Sequence, residues 1–194
     1  MDNAINSKSL AAAVKNFQDK LLPNIPEAML NTLMSELQGL VAAGIAEKSL
    51  APSSPFPDFS LPNTNNTPRS LSGFLSKGPA VISFYRGAWC PYCNLELNAL
   101  QQRLPEITEA GGQLIAISPQ RPDKSIDQLS HSRLTFEVLS DIGNQLAKKC
   151  GLVFTLPEPL HLIYEAWQID IPGHNGDNSF ELPIPATYII DADA

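Results

Sequence analysis

The sequence predicts an α/β domain built on a parallel strand–helix–strand unit, on three observations. Val81-Ile82-Ser83-Phe84-Tyr85 is a short, branched, apolar run of the kind that forms a buried strand. Leu97, Leu100 and Leu104 then recur at helical spacing, and Gly111-Gly112 stops that helix. Gln113-Leu114-Ile115-Ala116-Ile117 is a second buried strand. Two apolar strands joined by one helix call for a parallel crossover.

Between the first strand and the helix lies Arg86-Gly87-Ala88-Trp89-Cys90-Pro91-Tyr92-Cys93. The first turn of a helix carries unpaired N–H groups and the positive end of the dipole, so it favours an anion. A thiolate at Cys90 is such an anion, and cysteine pKa values at helix starts fall to about 3.5–7.5. Pro91 suits an early helical position because its missing N–H costs nothing there. Arg86 adds positive potential a few residues upstream. Cys90 is therefore the candidate nucleophile, and Cys93, shielded one turn in, its resolving partner. Trp89 and Tyr92 flank the pair, with Pro91, as walls of the site. A zinc site is the competing reading, but it needs four ligands. The other candidates, Cys150, His131, His161 and His174, offer no second paired spacing, so no metal and no cofactor is expected. A pair of inert buried cysteines is the plainer alternative.

The segment Phe84 to Leu97, reading FYRGAWCPYCNLEL, resembles that of the alkyl hydroperoxide reductase/thiol-specific antioxidant family. The likeness continues through Ala116-Ile117-Ser118-Pro119-Gln120, Leu139-Ser140-Asp141, Gly151-Leu152-Val153-Phe154 and Leu182 to Tyr188. It implies a thioredoxin-like, peroxiredoxin-like mixed sheet flanked by helices. It also implies that Pro185 is a cis-proline facing the cysteines, with Thr187 beside it. The family's Pro-x-x-x-Thr-x-x-Cys pattern is not met: counting back from Cys90 gives Gly87 and Ser83, and from Cys93 gives Cys90 and Arg86. The place of the remote peroxide-binding arginine holds Pro185, and Arg86 is the candidate replacement. Relatives continue with one more strand and a helix after Asp191. The chain is thus expected to be C-terminally short, with the exposed edge covered by the N-terminal hairpin or by another subunit in a homodimer.

The resemblance implies reduction of hydroperoxides through a Cys90/Cys93 dithiol–disulfide cycle, recharged by thioredoxin or by glutathione/glutaredoxin. Cys-Pro-Tyr-Cys is also a glutaredoxin-type dipeptide, so a general thiol–disulfide reductase acting on protein disulfides is the alternative. A non-catalytic binding module is a second one.

The rest of the chain is read in order. Leu10, Val14, Phe17 and Leu21 make one apolar helix face, and Pro23-Asn24-Ile25-Pro26 breaks it. Leu30, Leu33, Met34, Leu37, Leu40 and Val41 stripe a second helix. Residues 1–50 form a helical extension, and residues 51–194 the redox domain, with Ala51 to Pro57 as the boundary. Phe59 to Leu71 reads as a small hairpin, with Ser72 capping a helical turn. Pro105 is expected to kink or end its helix. Asp123 to Ser132 reads as a polar helix with His131 on its surface, and Thr135 to Leu139 as a strand. Asp141 caps a helix from Ile142 to Lys149, and Cys150 is a packed apolar position. Leu156 to Pro172 is an inserted helix and loop, Gly173 to Ser179 a polar turn, and Tyr188 to Ile190 a buried strand.

Composition sets the class. The 194 residues are 43% hydrophobic and 17% charged, as in an ordinary globular domain with a real core. A net charge of −7 argues against nucleic acid or an anionic membrane as partner. The N-terminus lacks a signal-peptide pattern, and three cysteines are too few for a disulfide scaffold. A cytoplasmic location is the expectation.

Overall fold

The computed structural model describes residues 9–125 and 134–191. In chain order the elements are α1 (Leu10–Leu21), α2 (Glu27–Ala42), β1 (Ser60–Pro62), β2 (Pro68–Ser70), α3 (Leu71–Leu75), β3 (Ala80–Phe84), α4 (Pro91–Glu109), β4 (Gln113–Ser118), β5 (Glu137–Ser140), α5 (Gln145–Lys149), β6 (Val153–Thr155), α6 (Glu158–Ala166), α7 (Ile171–Asn175), β7 (Glu181–Pro183) and β8 (Ala186–Ile190). The central sheet runs β5–β4–β3–β8. β3 pairs parallel with β4, β4 parallel with β5, and β3 antiparallel with β8. The sheet is therefore mixed, and α4 is the parallel crossover.

Strand alternation divides the core between the two faces. Ala80, Ile82, Phe84, Ile115, Ile117 and Leu139 pack on one side with Phe59, Phe74, Leu146 and Cys150. Leu114, Ala116 and Val138 face the other side, where α4 brings Cys93 and Leu97, and Cys90 joins them. The two cysteines are thus built into the core on the α4 face. A third cluster gathers Phe154, Leu156, Leu160, Ile163, Ile171 and Leu182 around α6 and the β6–β7 ribbon.

The helical extension docks on two of these layers. α2 lays Met29, Leu33 and Leu40 against the third cluster, while Met34, Leu37 and Val41 stay exposed. Only the inner half of the predicted stripe is packing. α1 lies against α4, and no α1 residue is fully buried. Beyond α2, the Leu50 N–H donates to the Cys150 carbonyl at 3.1 Å. Gly151 turns there at φ +68°, and a β-carbon on it would sit 1.9 Å from the Lys48 carbonyl oxygen. Only glycine allows that approach. The extension covers the dithiol face rather than the β8 edge.

Several local expectations are corrected. The cap of α3 is Ser70, whose hydroxyl accepts from the Gly73 N–H at 3.1 Å, not Ser72. Pro105 lies inside a continuous α4; it removes one N–H on the exposed face, where solvent can take the freed carbonyl. Asp141 does cap, but across a kink at Gly143 and Asn144: its carboxylate accepts from Leu146 and Ala147 at 2.9–3.0 Å. β5 starts at Glu137, two residues later than predicted. Helix α7 occupies the start of the predicted polar turn, and the β6–β7 ribbon has no counterpart in the sequence reading. A helical turn does begin at residue 122, but 126–133, with His131, lie outside the described residues. β8 is an edge strand and Ile189 is 76% exposed, so this strand is not buried through its length. Pro185 is trans, as no described peptide bond is cis. It occupies the ordinary place for a proline, just before the first residue of an edge strand. No helix among the described residues is long and apolar enough to cross a membrane.

Candidate active site

The turn from β3 to α4 is held from several directions. The Tyr85 N–H donates to the Ile117 carbonyl at 2.9 Å, extending the β3–β4 pairing by one residue. Gly87 follows at φ +148°, where a β-carbon would lie 2.6 Å from Trp89 Nε1. Gln120 is fully buried beneath the turn. Its Oε1 accepts from the Ala88 N–H at 2.9 Å and its Nε2 donates to Ser125 Oγ at 3.0 Å. From the other side Asn94 Nδ2 donates to the Ala88 carbonyl at 2.7 Å. The sequence reading quoted Gln120 for resemblance only; its work is to fix the turn that aims Cys90.

Cys90 is the N-cap of α4, and its sulfur accepts from the Cys93 N–H at 3.4 Å. The two sulfurs are 2.7 Å apart, and both cysteines are free. The hydrogen bond from the Cys93 thiol is the largest influence on Cys90. It outweighs burial and, with the N–H groups of Cys93 and Tyr92 and the Arg86 charge, lowers the Cys90 pKa to about 7. Giving that hydrogen bond, and being buried, pushes Cys93 well above the usual thiol range. One sulfur is an anion near neutral pH and the other is its proton-bearing partner.

Both sulfurs are more enclosed than the sequence suggested: Cys90 is 4% exposed and Cys93 2%. They open into a half-open cavity of about 290 Å³. It is lined by the two cysteines, Arg86 and Glu96, and by the apolar side chains of Leu10, Val14, Tyr92 and Pro185. Pro185 lines the same cavity as the cysteines, in the trans form where cis is expected. Burial raises the Glu96 carboxyl pKa. Arg86 stacks over Phe154 at 5.5 Å from the ring centre, and its Nε is buried with no partner among the described residues. Tyr164 lies beside Arg86, and burial raises its phenol pKa. Trp89 stands behind the turn, edge-on to Tyr164 at 5.8 Å. It does not line the cavity, and neither does Pro91, which is exposed in the first turn of α4. Thr187 is exposed on β8 and is likewise no part of the wall. Its pairing with Ser83 sets it on the α4 face of the sheet, but outside the cavity.

Sequence reasoning missed Glu96, Leu10 and Val14. Glu96 falls three residues after Cys93, on the same helix face, and that spacing was a usable signal. Leu10 and Val14 carried no local sign of distant docking. A wider cleft, of about 390 Å³, opens between His161, Glu165, Asp170 and Phe180 but holds neither sulfur.

The chain is 28% identical over 96 residues to peroxiredoxin Bcp of Escherichia coli, matching 50% of this chain and 61% of that one. A Mycobacterium tuberculosis protein named for the peroxiredoxins is 33% identical over 95 residues, 49% of this chain and 62% of its own length. The chain thus spans about three-fifths of these curated relatives. Among solved structures, peroxidoxin BcpB of Mycobacterium tuberculosis superposes with a TM-score of 0.58 at 26% identity, covering 72% of this chain and 78% of that one. The model of the AhpC/TSA family matches residues 52–194, the whole domain around the thiol pair, and the chain belongs to that family.

Proposed function

We propose that the protein is a thiol peroxidase in which Cys90 attacks a hydroperoxide and Cys93 resolves the product. One observation carries this reading: a sulfur with its pKa lowered to about 7 shares a half-open cavity with the Arg86 side chain. The Cys90 thiolate attacks the terminal peroxide oxygen, and the O–O bond breaks. The organic oxygen leaves as an alcohol once protonated, and Cys90 becomes a sulfenic acid. The Arg86 guanidinium would donate to the peroxide as charge develops on the leaving oxygen. The Cys93 sulfur then attacks the Cys90 sulfur, water leaves, and a disulfide forms. The sum is two thiols and one hydroperoxide giving one disulfide, one alcohol and one water. A dithiol reductant such as thioredoxin, or glutathione with glutaredoxin, returns the pair to thiols.

The disulfide-reductase alternative needs a protein substrate to reach Cys90, which is 4% exposed beneath α1. The enclosure counts against it. Stopped-flow tryptophan fluorescence of the reduced protein mixed with peroxide, with insulin reduction alongside, tests both. Rapid oxidation with loss of both Cys90 and Cys93 thiols by mass spectrometry is expected. Slow oxidation at the rate of free cysteine, with brisk insulin turnover, would replace this reading by the alternative.

A further inference from the structure

We propose that α1 is a specificity-determining roof of the dithiol cavity, and that Leu10 and Val14 select a hydroperoxide bearing a bulky apolar group over hydrogen peroxide. The substrate class rests on the peroxidase reading; the roof itself does not.

Leu10, Val14 and Phe17 recur at helical spacing and lie on one face of α1. The first two line the cavity shared with Cys90 and Cys93. The third meets Tyr92 edge-to-face, at 5.1 Å between ring centres, so the roof is latched to the first turn of α4. α1 also lies outside the family-matched segment, which begins at residue 52. The roof is therefore an addition to the family domain, and it walls one side of the half-open cavity that both sulfurs line.

The chamber is larger than its smallest peroxide requires. About 290 Å³ is roughly ten times the ~30 Å³ share of a water molecule. Besides the two thiols, Arg86 and Glu96, its lining is aliphatic or aromatic. An organic hydroperoxide can place its O–O bond at Arg86 and Cys90 and its carbon skeleton against Leu10, Val14 and Tyr92. Hydrogen peroxide leaves that apolar surface uncovered. α2 packs Met29, Leu33 and Leu40 against the third cluster, whereas no α1 residue joins any of the three clusters and the break at Pro23–Pro26 separates the two helices. The roof can therefore lift for entry without unpacking the rest.

The full-length reduced protein and its L10S/V14S variant decide the matter through two readouts. In the first, Cys90 is alkylated with N-phenylmaleimide and with iodoacetamide. The ratio of the two rate constants is expected to fall about tenfold in the variant, the effect of losing a few methylenes from an apolar pocket. In the second, oxidation by cumene hydroperoxide and by hydrogen peroxide is followed by stopped flow, and their ratio is expected to fall similarly. F17A, which frees the latch and leaves the lining intact, should raise the iodoacetamide rate. An alkylation ratio unchanged in L10S/V14S, with circular dichroism matching the parent, overturns the roof. If the alkylation ratio falls while the parent is not oxidised by either peroxide, the roof stands and the peroxidase reading fails.

Discussion

Cys90 and Cys150 are the same side chain in opposite surroundings, and both are buried. Cys90 sits at 4% exposure and Cys150 at none. Burial pushes Cys150 up to about 12, helped by the nearby Asp141 charge. Cys90 goes down to about 7, because the Cys93 thiol and the helix-start N–H groups solvate the anion in place of water. Desolvation alone makes a thiol inert; desolvation with donors aimed at the sulfur makes it a nucleophile. Position on the fold, not accessibility, separates a reactive cysteine from a packing one.

The largest effect should separate the two sites outright. Cys90→Ser should lower peroxide turnover at least about a thousandfold, while Cys150→Ala should keep it, as checked by peroxide consumption. A Cys150 variant as slow as the Cys90 variant would erase the contrast. Next, Gly87→Ala should destabilise the protein by about 1–3 kcal/mol in urea unfolding. The new β-carbon meets Trp89, and the backbone sits at φ +148°.

A subtler change sharpens the electrostatic argument. Cys93→Ala removes the main donor, so the pH midpoint of Cys90 alkylation should climb from about 7 toward that of a free thiol. Cys93→Ser keeps a donor and should fall between. Arg86→Met removes a smaller influence and should give a smaller climb. The smallest effect is on stability. The folded Cys90 pKa lies below its unfolded value near 9, so between pH 7 and 9 the unfolded chain binds more protons. Stability of the reduced protein should therefore rise with pH across that window. Cys93, raised in the folded state, opposes this only above pH 9. Chemical denaturation of the parent against Cys90→Ser measures the slope, which should flatten in the variant.

The sequence was most informative where local signals and tertiary packing agree. The branched runs at β3 and β4, the helix behind Cys90 and the glycine stop at 111–112 each need only neighbours in the chain. Ser70 rather than Ser72 is the cap because the helix starts at Leu71, which leaves Ser72 already inside its first turn. Pro105 misled because its helix has a solvent side, which pattern alone does not reveal. Pro185 lines the sulfurs' cavity but is trans, because an isomer is set by tertiary context that the X–Pro pair does not encode. The roof was beyond reading, since Leu10 and Cys90 are eighty residues apart and an amphipathic face does not name its partner.

The contact at Gly151 has a reach beyond its own turn. The Lys48 carbonyl is seated where any other residue would put a side chain, and the adjoining Leu50–Cys150 bond closes the same seam. The segment that leads from the leading helices into the sheet is therefore riveted under the floor of the domain, on the side opposite the sulfurs. Heat should melt the helical hairpin and the sheet in a single step rather than two, and damage to that rivet would be felt by substrates on the far side of the molecule.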